Sequence, residues 1–258
     1  MYTKRKQLTK GKILVFAIVG VFAVIYMISV VYQSHMIEQP ANASVKSAPR
    51  QIVIDAGHGG ADGGAVGVNG EVEKEINLKI ALTLRDMLES VGFETVMTRE
   101  EDISIHDKKY EKLSQQKTSD IKNRLKIIEE YPQGICVSIH QNHFSEEKYH
   151  GAQMFYGVKN PQSPLIAQFI QQSFVNHLQP DNQRQIKEGT NSIYLLKNAT
   201  VPIVLVECGF LSNEEEGAML SNEEYQQKTA FAVFCGIIEY YNADNRGMAK
   251  MPEYSQTQ

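Results

Sequence analysis

Two histidines of this chain lie directly after short apolar runs. His58 follows the run QIVID within the glycine-rich turn AGHGG, and His140 ends the run ICVSI. If the two runs are neighbouring strands of a sheet, both imidazoles lie at one edge and can share a metal ion. Zinc is the natural candidate, because hydrolytic zinc sites use two histidines and a carboxylate at about 2.0–2.2 Å and keep a fourth position for water. Taken alone, His58 is more simply interpreted as a histidine in a flexible turn.

The carboxylate of such a site has three candidates. Glu71, Glu73 and Glu75 all lie just before or at the start of the first predicted helix. Spacing does not choose among them. Each is also explained as an acid that favours the positive end of a helix dipole.

Glu207 is the most informative acid of the chain. It follows the apolar run VPIVLV, where a strand would leave the core. Burial there would raise its pKa, and a carboxyl group with a near-neutral pKa can take a proton from water and return it to a leaving amine. The alternative is a structural acid that binds backbone amides of the turn before Gly209.

Strand and helix patterns alternate from residue 51 onward. Apolar residues recur at intervals of three and four between Ile76 and Val91, which is typical of one helical face. In the last helix we expect Phe231, Phe234 and Tyr241 to face inward. Short apolar runs predict strands at residues 51–55, 93–98, 135–139, 152–156, 193–196 and 203–207.

This alternation predicts an α/β layered domain with a largely parallel central sheet. In such sheets functional residues gather where strands end at their carboxyl edge. His58 and His140 follow predicted strands, and Glu207 ends one. We expect the domain to span residues 51–243, followed by a disordered tail at residues 244–258.

Five short motifs carry a resemblance to a known family. They occur in the order DAGHGG (residues 55–60), EKEINL (73–78), MTR (97–99), SIHQN (138–142) and VECGFLSN (206–213). Together they resemble the zinc-dependent N-acetylmuramoyl-L-alanine amidases of bacterial cell walls, over residues 51–241. The segment IYLLKNATVP at residues 193–202 is also similar to the family.

The resemblance implies roles for residues of four of the five motifs. His58, Glu73 and His140 would be zinc ligands, Glu207 would be the catalytic acid and base, and helices would cover both faces of the sheet. Asn142 is expected to orient the substrate. Two positions depart from the family pattern: His143 replaces a small residue, and Cys208 replaces a valine.

Within the family, the length and single catalytic domain are most similar to the germination-specific amidases of spore formers. These enzymes remove stem peptides from muramic acid in the spore cortex, which allows muramic-δ-lactam formation after a partner deacetylase acts. The resemblance therefore implies a role in cortex maturation and germination, with a possible activating lipoprotein. The alternatives are a vegetative wall amidase, another peptidoglycan hydrolase such as a carboxypeptidase or deacetylase, and an inactive membrane-anchored peptidoglycan-binding protein.

The N-terminal region has the pattern of a membrane anchor. Residues 13–32 contain no charge, and twenty residues in a helix extend about 30 Å, the thickness of the hydrocarbon core. The five basic residues within residues 1–12 place that end in the cytoplasm and the catalytic domain outside it. A cleaved signal peptide is the competing interpretation, with a candidate cleavage site at residues 41–43. Residues 33–50 are predicted to be a linker.

Charge and cysteine content exclude two other classes of protein. The net charge is −4, and the +5 of residues 1–32 leaves −9 for the remainder, which disfavours a nucleic-acid partner. Cys136, Cys208 and Cys235 each lie inside an apolar run and form neither a disulfide framework nor a paired Cys-x-x-Cys zinc motif. We expect them to be buried thiols.

Overall fold

The computed structural model describes residues 50–245, together with Tyr26 and Met27. The chain divides into two units, and all the elements named below belong to the second, residues 48–258. None of the helices in the described part is both long and apolar enough to cross a bilayer. The predicted cytoplasmic segment 1–12, the predicted anchor 13–32 apart from Tyr26 and Met27, and almost all of the linker lie outside the described residues.

A six-stranded sheet forms the centre of the domain. The strands are β1 (Gln51–Ala56), β2 (Glu94–Met97), β3 (Ile135–Asn142), β4 (Gln153–Tyr156), β5 (Lys187–Glu188) and β6 (Ile203–Phe210). Their order across the sheet is β2-β1-β3-β6-β4-β5. Strands β2, β1, β3 and β6 are mutually parallel, whereas β4 runs antiparallel to β6 and pairs in parallel with β5. The expectation of a largely parallel sheet is therefore confirmed.

Helices cover both faces of this sheet, as expected. Successive side chains of a strand point to opposite faces, so Ile52 and Ile54 join one buried cluster while Val53 joins the other. The helices are α1 (Glu73–Ser90), α2 (Leu113–Glu129), α3 (Ser163–His177), α4 (Tyr194–Asn198), α5 (Glu214–Ser221) and α6 (Glu223–Asn245). The first cluster includes residues of α1, α3, α5 and α6, and the second includes residues of α2 and α4.

One predicted strand is a helix. Residues 193–196 were expected to be extended, but Tyr194–Asn198 form α4, whose Leu195 and Leu196 are both buried. A four-residue apolar run fits a buried strand and a buried helical turn equally well, so periodicity does not distinguish them. The prediction missed β5, whose two residues are both polar and exposed.

The predicted inward face of α6 is also wrong at its first position. Phe231 is 45% exposed, whereas Val233 and Ile237 are fully buried. The reason is a close approach between two helices: a Cβ added at Gly236 would lie 2.6 Å from the Cα of Ile170 in α3. The face with the smallest residue packs against α3, and the larger aromatic side chain at 231 is turned outward. The helix extends to Asn245, two residues into the predicted tail, and the rest of that tail lies outside the described residues.

Candidate metal centre

The parallel pairing of three strands brings the polar motifs to one edge of the sheet. In the register of β1 with β3, Ala56 lies opposite Ile139, so His58 emerges just beyond the edge at which β3 delivers His140. In the register of β3 with β6, His140 lies directly opposite Glu207. Three residues that are far apart in sequence therefore become neighbours through strand pairing alone.

Glu73 completes a compact cluster with the two histidines. One carboxylate oxygen, Oε2, lies 3.2 Å from His58 Nε2, and the other, Oε1, lies 2.9 Å from His140 Nδ1. The two imidazole rings meet edge to face with centroids 5.0 Å apart. One potential ligand atom from each residue lies within 4.8 Å of the other two. This arrangement could hold one metal ion.

The other two acids of the sequence prediction lie elsewhere. Glu71 accepts hydrogen bonds from the backbone and side-chain nitrogens of Asn69, at 3.0 and 3.1 Å. Glu75 is an exposed residue in the first turn of α1. The structure therefore places Glu73 in the cluster and Glu71 and Glu75 outside it. Sequence spacing did not distinguish the three acids.

Two buried arginines hold the turn that carries His58. Arg99 donates to the carbonyl oxygens of Ala56 and Gly57 at 2.9 and 3.0 Å, and Arg124 donates to those of Ala56 and His58 at 2.7 and 2.6 Å. His58 has φ +62°, a conformation that non-glycine residues rarely adopt. The surrounding hydrogen bonds over-determine this backbone conformation and so keep His58 in place.

Arg124 is itself held by buried carboxylates. Its guanidinium lies 2.7 Å from Asp55 and 2.5 Å from Asp120. Burial raises the pKa of Asp55, but Arg124 and the hydroxyl of Ser138 outweigh it and lower that pKa to about 2. Asp55, the first residue of the DAGHGG motif, thus anchors the arginine that braces the histidine turn.

Gly57 is required by the approach of the second histidine. A Cβ added there would lie 2.3 Å from two atoms of the His140 ring. No side chain larger than hydrogen fits at this position without moving the imidazole. The close approach of the His140 ring therefore explains why position 57 of the motif is glycine.

A buried polar network fixes the carboxylate of Glu73. Asn77 donates to Oε1 at 3.2 Å, the backbone nitrogen of Gln141 donates to the same oxygen at 3.1 Å, and the backbone nitrogen of Ala65 donates to Oε2 at 2.8 Å. Burial raises the pKa of Glu73, but hydrogen bonds from His140 and His58 outweigh it and hold that pKa far below its ordinary value. Glu73 is therefore ionised and oriented for coordination.

Glu207 has the opposite electrostatic character. The residue is partly exposed, but its Oε2 is shielded from solvent and has no hydrogen-bond partner within the described part of the chain. Burial, opposed by His140 and assisted by Glu73, raises its pKa to about 7. A carboxyl group with this pKa can both accept and release a proton near neutral pH.

The sequence analysis did not identify Asp62, whose carboxylate contacts Nδ1 of His58. Asp62 Oδ2 lies 3.0 Å from His58 Nδ1, and Asp62 Oδ1 lies 2.6 Å from the ammonium of Lys117. The spacing of four residues after His58, inside the same glycine-rich turn, was the available signal. Asn77 and Gln141 were missed as well, because polar residues on a helix face or strand give no sign of burial.

The remaining predicted residues lie at the periphery. Asn142 is half-buried at the end of β3, beyond a register shift that separates it from His140. His143 is exposed and does not belong to the described ligand cluster. Among the cysteines, Cys136 and Cys208 are buried as expected, whereas Cys235 is only partly buried.

Comparisons with known proteins agree with one another. The model of a family described as N-acetylmuramoyl-L-alanine amidase matches residues 52–239. The chain is 36% identical over 190 residues to the germination-specific N-acetylmuramoyl-L-alanine amidase of Bacillus subtilis, covering 74% of this chain and 79% of that protein. The CwlD amidase of Clostridioides difficile, solved in complex with the GerS lipoprotein, superposes with a TM-score of 0.73 at 41% identity, covering 76% of this chain and 100% of the other.

A more distant amidase shares the fold. The catalytic domain of CwlV from Paenibacillus polymyxa has a TM-score of 0.61 and 30% sequence identity, over 75% of this chain and 98% of that one.

Proposed function

The chain belongs to the N-acetylmuramoyl-L-alanine amidase family, and we propose that this peptidoglycan amidase uses zinc held by His58, Glu73 and His140. The observation that carries the proposal is the convergence of two imidazoles and one ionised carboxylate on a single point. Glu207 is proposed as the acid and base of the reaction. The bond cleaved is the amide between N-acetylmuramic acid and the L-alanine of the stem peptide.

The residues present fit zinc by their chemistry. Two nitrogen donors and one carboxylate oxygen are a ligand set that zinc hydrolases use, and three protein ligands leave a position open for water or substrate. The buried polar network of Asn77 and Gln141 fixes the carboxylate, as the groups around metal ligands commonly do. Zinc bound there would supply a lowered water pKa, toward about 7, and polarisation of the substrate carbonyl.

Glu207 performs the proton transfers in this account. In the metal-free chain burial raises its pKa to about 7. A bound cation would favour the ionised form further, and that form accepts a proton from the attacking water. The protonated carboxyl group then donates to the alanine nitrogen as the amide bond breaks, and the carboxylate is regenerated. The shielded Oε2, which lacks a partner in the described structure, is available for these transfers. Asn142, at the end of the adjacent strand, is proposed to orient the substrate.

The proposed place of action is the outer side of a membrane. Its support is the uncharged segment 13–32 with basic residues before it, together with the similarity to a germination-specific amidase. We propose that the enzyme acts in cortex maturation and germination of spores. The solved complex of the CwlD amidase with a lipoprotein supports a lipoprotein partner for this chain as well. A deacetylase is expected to act after it.

Deletion of the gene tests this cellular role. Spores should form but lack muramic δ-lactam and fail to degrade their cortex on germination. Normal δ-lactam in those spores, with a defect in the separation of growing cells, would reassign the protein to vegetative wall turnover.

The metal site is tested by substituting each of the three neighbouring acids in turn. The purified chain should carry about one equivalent of zinc, which Glu73→Ala should release because it removes a direct ligand. Glu75→Ala removes an exposed acid from the same turn and should keep the metal, as should Glu71→Ala, at a cost of at most about 1 kcal/mol in stability. Zinc retained by the Glu73 variant would contradict the assignment.

A further inference from the structure

The turn after β1 contains a carboxylate that contacts a proposed zinc ligand from behind. Asp62 Oδ2 lies 3.0 Å from His58 Nδ1, and both side chains are mostly shielded from solvent. The other ring nitrogen of His58, Nε2, faces Glu73 Oε2 at 3.2 Å. The imidazole is thus held on one side and presented to the cluster on the other.

Asp62 is fixed through its backbone and through both carboxylate oxygens. Its backbone exchanges two hydrogen bonds with Gly59, at 2.9 and 3.1 Å, which closes the turn around His58. Its Oδ1 lies 2.6 Å from Lys117 Nζ in α2 and accepts from the backbone nitrogen of Gly64 at 3.3 Å. The carboxylate therefore has little freedom to turn away from His58.

This geometry determines which nitrogen of His58 can bind a metal. A carboxylate accepts a proton and cannot donate one, so the Nδ1 beside Asp62 must carry hydrogen. Nε2 also faces a carboxylate oxygen, Glu73 Oε2, but Glu73 is itself a proposed metal ligand and Asp62 is not part of the cluster. A metal ion bound by both His58 and Glu73 would therefore take the lone pair of Nε2 and leave the hydrogen on Nδ1. A carboxylate in this position both fixes the ring orientation and increases the basicity of the coordinating nitrogen.

We propose that Asp62 is a positioning residue for the metal centre, which holds His58 in the tautomer that coordinates through Nε2, and that Lys117 anchors Asp62. The inference rests on the proposed zinc site. It assigns to the first part of α2 a role in metal affinity, although Lys117 itself is exposed and far from the reacting groups in sequence.

A second acid of the same region provides the matched control. Asp102 accepts from the backbone nitrogen of Gly60 at 2.8 Å and pairs with Lys74 at 2.7 Å. It therefore braces the same turn with the same kind of contacts, but neither of these two partners is a histidine of the cluster. We expect loss of Asp102 to loosen the turn while the contact between Asp62 and the His58 ring remains.

The test measures zinc affinity of the purified full-length chain by competition with a chelator. Asp62→Ala should weaken zinc binding about 10- to 100-fold, the range seen for loss of groups that support metal ligands. Asp62→Asn should lose less, because its amide oxygen still accepts from Nδ1–H but carries no charge. Asp102→Ala should bind zinc close to wild type.

Substitution of Lys117 provides an independent test of the same role. Lys117→Met should weaken zinc binding a few-fold in the wild-type background and not at all in the Asp62→Ala background, since it acts only through Asp62. Lys122→Met, which removes a charge from the same helix, should leave the affinity unchanged. In nuclear magnetic resonance spectra of the zinc-loaded chain, the Nδ1–H proton of His58 should be visible in wild type and lost to solvent exchange in Asp62→Ala.

The possible results distinguish a failure of the inference about Asp62 from a failure of the proposed zinc site. Wild-type affinity in both Asp62 variants would overturn the positioning role while leaving the zinc site intact. An equal loss in the Asp62 and Asp102 variants would also overturn it, because the turn rather than the tautomer would then be responsible. A wild-type chain that binds no zinc would overturn the zinc site itself. If Asp62→Ala does not fold, Lys117→Met decides: a few-fold loss of zinc affinity supports the role of Asp62, and unchanged affinity overturns it.

Discussion

Replacing Glu207 by glutamine should stabilise the metal-free protein while it abolishes the proposed base. In the folded chain burial disfavours the ionised carboxylate, so the pKa of Glu207 rises from the ordinary 4.5 to about 7. Glutamine has nearly the same size and does not ionise. The substitution therefore removes an unfavourable buried charge at alkaline pH and changes little at acidic pH.

The magnitude follows from this pKa. A tenfold change in proton affinity corresponds to about 1.4 kcal/mol, so ionised Glu207 destabilises the fold by about 3 kcal/mol at pH 8. Because the pKa is raised on folding, the protonated form is the one that the fold favours. The penalty is therefore absent below the unfolded pKa and grows as the pH rises to about 7. At pH 5 the difference between variant and wild type should fall below about 1 kcal/mol.

Urea unfolding between pH 5 and pH 8 measures this difference directly. The protein must be free of metal, because a nearby cation would itself lower the pKa of Glu207. Glu75→Gln is the matched control, since it makes the same replacement at an exposed carboxylate. Equal stability of Glu207→Gln and wild type at pH 8 would refute the burial argument, and with it the near-neutral pKa assigned to the base.

Two further substitutions test how the site is held. Arg124→Met should lower the free energy of unfolding by about 3–5 kcal/mol, because it leaves Asp55 buried and ionised without its partner. Lys126→Met, on the exposed side of α2, is the control and should change the free energy of unfolding by less than about 0.5 kcal/mol. Urea unfolding near pH 7 gives both values. A small loss of stability in Arg124→Met would contradict the proposed role of Arg124 in holding the His58 turn. Gly57→Ala should displace the His140 ring and lower turnover about 100-fold, whereas Gly63→Ala, whose added Cβ meets only Val72 Cγ1 at 3.5 Å, should remain active. Equal activity of the two glycine variants on purified peptidoglycan would show that the close approach is unimportant.

The sheet was predictable because its parallel strands are nearly continuous apolar runs. Buried strands such as β1 and β6 need β-branched residues on both faces, and the glycine-rich or polar sequences after them indicate where the chain leaves the core. For the same reason His58, His140 and Glu207 could be placed at one edge before the structure was known. The short helix α4 could not be predicted, because four apolar residues carry no measurable period.

The supporting residues of the site were not predictable from spacing. The choice of Glu73 over Glu71 and Glu75 came from the family resemblance, since all three acids suit the start of a helix equally. Asp62 and Asn77 each lie four residues after the side chain that they contact, His58 and Glu73, but this spacing does not show that either residue is shielded from solvent or hydrogen-bonded. Such partners are specified by three-dimensional packing, and a single sequence shows them only as polar residues.

This chain is proposed to hydrolyse the muramoyl–alanine amide bond with Glu207 as the base. Mass analysis of purified peptidoglycan incubated with the wild-type chain and with Glu207→Gln tests it most directly. Wild type should release stem peptides with a free L-alanine amino group and leave muramic acid with a free lactyl carboxylate, while the variant keeps its zinc and turns over at least about 100-fold more slowly. Release of terminal D-alanine would indicate a carboxypeptidase instead, and loss of acetyl groups would indicate a deacetylase. No change in the peptidoglycan would favour a binding protein. Near-normal turnover by the variant would contradict the role of Glu207.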